Sequence, residues 1–137
     1  MVERFFSYAP TAPAPLEDTG ITLVSGPSCC GKTSLLFQFA VNRAAESGRG
    51  VVFICSKGRL ETNPPFLSQG VEPSMGVLQR IKINLCCSGK YMLTFSSPRY
   101  VEDGEEIRKY FAAFHLLDDF PAAVIVDDFA DYFSERF

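Results

Sequence analysis

The run Gly26-Pro27-Ser28-Cys29-Cys30-Gly31-Lys32-Thr33 constrains this chain more than any other segment. It fills every fixed position of the pattern G-x-x-x-x-G-K-[ST], with the apolar residues Ile21, Leu23 and Val24 before it and an amphipathic segment after it. Strand, glycine-rich loop and helix in that order make a phosphate cradle. Gly26 and Gly31 let the backbone curl so that successive N–H groups and the positive end of the helix dipole converge on an anion. Pro27, Ser28, Cys29 and Cys30 complete the loop. Lys32 supplies a mobile cation for the β and γ phosphates, Thr33 a hydroxyl for Mg²⁺, and Ser34 a hydroxyl for the α phosphate. The expected ligand is a nucleoside triphosphate, ATP with Mg²⁺.

Downstream, Leu36, Phe39, Ala40 and Ala44 recur at helical spacing from Thr33 to Ser47, and Gly48 stands where a left-handed C-cap is wanted. Val51-Val52-Phe53-Ile54 is a continuous apolar run, as in a strand covered on both faces. Residues 57–76 carry Pro64, Pro65, Pro73, Gly58, Gly70 and Gly76 and read as a long loop. Ile81, Ile83 and Leu85 alternate with Lys82 and Asn84, predicting a strand near a sheet edge. Residues 84–98 read as an insertion. Asp103 is placed to cap a helix reaching Leu117, with Ile107, Tyr110, Phe111, Phe114 and Leu117 as its apolar stripe.

Ala122 to Val126 is a second apolar run, and it ends in Asp127-Asp128. An acid at the end of a buried strand beside a phosphate loop serves as a Mg²⁺ ligand, so Thr33 and Asp127 are the expected metal-site residues and Lys32 and Asp127 the catalytic ones. Asp128 reads either as an assisting base or as the N-cap of a helix opening at Phe129. The fold class implied is α/β: a P-loop NTPase with a parallel sheet flanked by helices. Residues 1–19, with Pro10, Pro13 and Pro15, form an extended arm before a domain spanning 20–137.

Composition excludes little. The 137 residues are 47% hydrophobic and 21% charged with a net charge of −3, which fits a single globular domain without a global basic field for nucleic acid. No apolar stretch reaches the roughly 20 residues of a membrane helix, and the N-terminus lacks a signal core, so a soluble intracellular protein is expected. The 5 cysteines lie as two adjacent pairs, Cys29-Cys30 and Cys86-Cys87, and the single Cys55, a spacing unlike zinc knuckles. Cys29 and Cys30 serve either as a redox-sensitive pair or as small fillers of the loop. Arg80, Lys82, Lys90 and Arg99 are the one basic cluster, read either as a contact for DNA or as ordinary solvated charges. His115 has no partner spacing and reads as structural.

Four segments together, GPSCCGKTSLLF at 26–37, Val51 to Ile54, Leu78-Gln79-Arg80-Ile81 and DDFADYF at 127–133, resemble the RecA-like recombinase paralogues. Within them the likeness is strongest to the SWIM-zinc-finger-associated ATPase subunits of Shu-type complexes. This resemblance implies an ATP-binding mediator of homologous recombination and DNA repair in the nucleus. It implies as partners a SWIM-domain protein, recombinase family members and single-stranded DNA, met directly or through the partner. Phe6-Ser7-Tyr8-Ala9 matches the F-x-x-A peptide with which recombinases dock on one another, or is a nonspecific tail. Two departures stand out. Lys57 falls where such enzymes place a catalytic glutamate, and a cation cannot accept the proton of an attacking water, so hydrolysis is expected to be weak. Glu61 is the substitute base, or a solvated loop carboxylate. A RecA core also continues beyond the Mg²⁺ acid, so the chain reads as truncated at its C-terminus, an isoform or a fragment. A non-catalytic nucleotide-binding scaffold and a small-molecule kinase are the alternatives.

Overall fold

A computed structural model of the chain describes residues 20–68, 72–86 and 104–133. The arm at 1–19 with its F-x-x-A match, Lys90, Arg99, Asp103 and most of the 84–98 segment lie outside the described residues.

The elements run α1 (Lys32–Ser47), β1 (Val51–Ser56), α2 (Lys57–Thr62), α3 (Met75–Leu78), β2 (Ile81–Cys86), α4 (Gly104–Ala112), a 3-10 turn (Phe114–Leu116), β3 (Ala123–Val126) and α5 (Phe129–Phe133). The strands form a parallel three-stranded sheet in the order β2-β1-β3. Val51 pairs with Ile81 on one side and Ala123 on the other, and Ile54 pairs with Asn84 and Val126. All three strands therefore end along one edge, where α1 and α2 begin. This is the edge at which open α/β sheets bind ligands.

The alternation of β1 builds two cores. Val51, Phe53 and Cys55 pack with Ala40, Val41 and Ala44 of α1 and with Val77, Ile81 and Ile125. Val52 and Ile54 face the opposite layer, against Ile107 of α4, with Tyr110, Val124, Val126, Tyr132 and Phe133 around them. Helices on both faces of a parallel sheet give an α/β architecture, and the continuous apolar run of β1 is its cause. β2 lies at an edge, as its one polar face predicts. Asn84, Leu85 and Cys86 continue that strand, so the segment read as an insertion begins inside it. α1 stops at Gly48, whose φ of 64° is the left-handed cap that a glycine adopts without strain. No helix among the described residues is long and apolar enough to cross a membrane.

Three expectations are corrected. The strand expected before the phosphate loop does not form: Gly20 to Pro27 carries no strand pairing, and Ile21 and Leu23 are 104% and 82% exposed. An extended segment becomes a strand only when a neighbour takes its N–H and C=O groups; β1 is occupied on both sides by β2 and β3, and this segment pairs with the open edge of neither. Residues 57–76 are not all loop, since α2 follows β1 directly and α3 precedes β2. The helix expected to run unbroken to Leu117 ends at Ala112, after which Leu116 and Leu117 take 3-10 bonds to Ala113 and Phe114. The aromatic residues Tyr110, Phe111 and Phe114 hold this corner by ring contacts of 5.5–5.8 Å.

Candidate phosphate and metal site

α1 opens on Gly31, whose φ of 84° only a glycine tolerates freely and which offers no side chain to cap the helix. No acidic residue occupies the first turn. With no side-chain cap from the N-cap residue, the N-terminus of this 16-residue helix is disposed toward an external anion. Cys29 also adopts a positive φ, 59°, so the loop bends sharply on either side of Cys30. A methyl group on Gly26 would stand 2.9 Å from the Cys30 Sγ, so glycine at 26 leaves room for the Cys30 thiol at the loop's closure. Lys32 reaches back over that closure: its Nζ donates to the carbonyls of Gly26 at 2.9 Å and Pro27 at 2.6 Å and lies 3.6 Å from the Cys30 Sγ.

The second half of the site comes from β3. The Asp127 N–H donates to the Ile54 carbonyl at 2.9 Å, which locks the residue to the central strand just past the end of β3. Its side chain is buried, the residue being 2% exposed. The Thr33 hydroxyl donates to Asp127 Oδ2 at 2.7 Å across 94 residues of sequence. Asp127 Oδ1 accepts the N–H of Asp128 at 3.1 Å. Asp128 has a φ of 54°, and its carboxylate pairs with the Nε of Arg59 on α2 at 2.6 Å. Burial, and then the neighbouring Asp127 charge, push the Asp128 carboxyl above its ordinary value, while Arg59 and Lys32 pull the other way.

A hydroxyl and a buried carboxylate side by side are the hard oxygen donors that Mg²⁺ takes. Mg²⁺ keeps several waters and needs only one or two protein oxygens, with phosphate supplying others. The donor set therefore fits that ion. It does not fit a zinc centre: among the described residues no group of three or more His, Cys, Asp or Glu side chains gathers, and Cys29, Cys30 and Cys55 are free thiols.

The remaining predicted residues fall at different distances from this centre. The Ser34 hydroxyl accepts the N–H of Phe66 at 3.0 Å, and Gln38 Oε1 accepts that of Ser68 at 2.9 Å, so the segment after α2 is strapped along α1. Between strap and helix lies a cleft of about 390 Å³, bounded by Cys30, Gly31, Ser34, Leu35, Gln38 and Phe66. Lys57 opens α2, and Glu61 stands exposed one turn later on a helix instead of a loop. The Asp128 side chain is turned to Arg59 while its carbonyl accepts the N–H of Asp131 at 2.9 Å, the first bond of α5. Arg80 is used within the fold, with Nη1 3.4 Å from the Ala44 carbonyl. His115 is exposed on the 3-10 turn, its Nδ1 2.9 Å from the Ala112 carbonyl.

Arg59 is the residue that sequence reasoning missed. It sits in a stretch that reads as loop because α2 is only six residues long and only Leu60 among its apolar residues meets the core. Its one available signal was position: a cation shortly after a buried strand whose neighbour ends in two acids. No family model, curated protein or solved structure matches this chain.

Proposed function

We propose that this chain binds Mg²⁺-ATP at the C-terminal edge of its sheet and uses the bound state as a conformational signal, with hydrolysis weak. The observation that carries the reading is the Thr33–Asp127 hydrogen bond, which joins the first turn of α1 to the acid after β3. Supporting it are the uncapped N-terminus of α1, the close approach of Gly26 to the Cys30 thiol, the left-handed turn at Gly31, and the Lys32 ammonium lying over the loop. In this reading the N–H groups of Cys29 to Thr33 bind the β phosphate, Lys32 leaves its own carbonyls for the β and γ oxygens, and Ser34 lies by the α phosphate. Thr33 and Asp127 would hold Mg²⁺, which when bound offsets the charge of the phosphate oxygens. The cleft between α1 and the Phe66 strap takes the nucleoside.

Weak hydrolysis follows from the residues after β1. A general base must accept a proton from water, and Lys57 cannot. Arg59 places a second cation on the same short helix, and the carboxylate there, Glu61, is solvent-exposed. This favours a protein that binds triphosphate without rapid turnover. By its resemblance to recombinase paralogues, we propose that the partner served is a SWIM-domain protein acting with recombinases on single-stranded DNA in the nucleus.

Equilibrium titration with a fluorescent ATP analogue, with Mg²⁺ and then with EDTA, tests the core of this reading. Mg²⁺-dependent binding is expected, and no binding at millimolar nucleotide would end it. ATP turnover measured with and without single-stranded DNA, on chain co-purified with its partner, tests the second part. Phosphate transfer to a metabolite in place of either would favour a kinase.

A further inference from the structure

We propose that Arg59 is a second phosphate-binding cation of this site, reading the terminal phosphate by exchanging the Asp128 carboxylate for a phosphate oxygen. The inference rests on the triphosphate reading above and adds a residue to it.

Arg59 belongs to the same edge as the loop. β1 and β3 are adjacent and in register, α2 starts where β1 ends, and Asp128 follows β3 after a single residue. Three hydrogen-bonded steps then connect the guanidinium to the first turn of α1. Arg59 Nε meets Asp128 Oδ2 at 2.6 Å, the Asp128 N–H meets Asp127 Oδ1 at 3.1 Å, and Asp127 Oδ2 accepts the Thr33 hydroxyl at 2.7 Å. A guanidinium carries five N–H donors in a planar fork suited to phosphate, and the Asp128 contact through Nε engages one of them. The Arg59 side chain is 42% exposed and that of its partner 12%, so the cation is the solvent-facing member of the pair.

Charge balance gives the exchange its direction. Asp127 and Asp128 are adjacent carboxylates, and Arg59 partly offsets their repulsion. A metal ion at Thr33 and Asp127 would take over that role, and the γ phosphate brings a stronger, multiply charged acceptor for the guanidinium. Arg59 would then be left to pair with phosphate. Asp128 has a left-handed backbone, φ 54°, which aspartate adopts more readily than most residues, and its carboxylate is turned toward Arg59.

The test compares affinities for Mg²⁺-ATP and Mg²⁺-ADP in the full chain, using fluorescent analogues of each. Arg59→Ala is expected to weaken ATP by about tenfold, the loss of a charge-assisted hydrogen bond, while ADP changes by less than about twofold. Asp128→Asn, which keeps an acceptor but removes the carboxylate charge competing with phosphate, is expected to raise the ratio of ATP to ADP affinity, and a fall would count against the exchange. An Arg59→Ala protein that loses both nucleotides equally, or neither, overturns the proposal and makes the pair a structural contact. If Arg59→Ala fails to fold, Arg59→Gln with Asp128→Asn removes both charges together and carries the same expectation. Lys32→Ala separates the two levels. If it weakens both nucleotides and Arg59→Ala leaves the ratio alone, only Arg59's role falls. If wild-type and Lys32→Ala proteins bind alike, or wild type binds neither, the triphosphate reading and this proposal fall together.

Discussion

The Thr33 hydroxyl and the Asp127 carboxylate meet at 2.7 Å although 94 residues separate them in sequence. Neither side chain is brought there by its own element alone. Thr33 is carried by the first turn of α1, which packs on β1 through Ala40, Val41 and Ala44, and Asp127 is carried by β3, which pairs with β1 on the other side. The central strand is therefore the ruler that sets the separation. Residues buried in β1 control the geometry of a site to which they contribute no functional group.

The hydroxyl is the donor in this pair, so removing it leaves a buried acceptor short of a partner. Thr33→Val is expected to cost about 1–3 kcal/mol of stability, measured by urea denaturation. Asp127→Asn keeps the shape and a hydrogen-bonding group but forfeits the charge that the proposed Mg²⁺ would meet. Its nucleotide affinity should no longer respond to Mg²⁺. A mutant whose EDTA sensitivity equals that of wild type would remove Asp127 from the metal site.

Lys32 makes its two short contacts to backbone carbonyls of the loop, at a site open to solvent. Lys32→Ala should therefore leave the unfolding midpoint almost unchanged, within about 0.5 kcal/mol, as for most surface changes. Its effect on triphosphate affinity should be far larger, about tenfold or more, because a charged contact is lost. Parallel denaturation and nucleotide titrations distinguish the two, and a large stability loss with unchanged affinity would reverse the assignment.

Much of this was legible in the residues, and the exceptions have physical causes. The α1 helix showed itself through spacing and Gly48, β1 through four consecutive apolar residues, and Asp127 through its place after β3. Their signals are local, and the structure satisfies them locally. The segment Ile21 to Val24 failed because a strand is a property of a pair: apolar residues can offer a strand, but hydrogen bonds must come from a neighbour. The α2 helix was hidden because Lys57-Gly58-Arg59 has no periodicity to detect over six residues. Arg59's ion pair was hidden for the same reason as any tertiary contact, since its partner is fixed by the register of β1 and β3.

Asp128 makes the site's response to pH specific. Its carboxyl is raised above 3.8, first by burial and then by the Asp127 charge, so the folded protein holds that proton more tightly than the unfolded chain does. The sign follows from linkage: this group's contribution is fully present below 3.8 and is lost as pH rises through its higher folded value. Asp128→Asn removes that dependence. The stability difference between Asp128→Asn and wild type should therefore shift in favour of the asparagine protein as pH rises above 3.8, then level off. Denaturation midpoints taken from pH 3.5 to 7 measure it. A flat or opposite difference would mean that the Arg59 charge outweighs burial.

Phe53 and Leu23 separate what the fold uses from what it leaves outside. Phe53 is fully buried on the α1 face of β1 and meets Phe37 edge to face at 5.7 Å. Its truncation to alanine empties space among α1, α3 and the sheet, where close packing prevents full collapse, and should cost about 3–5 kcal/mol. Leu23 is as apolar as many core residues, yet it is 82% exposed and has no strand pairing. Leu23→Ser should then change stability by less than about 0.5 kcal/mol. Urea denaturation of both variants decides the point. If Leu23→Ser cost as much as Phe53→Ala, the segment before the loop would be packed in solution, and the sheet would extend beyond β3 to include it.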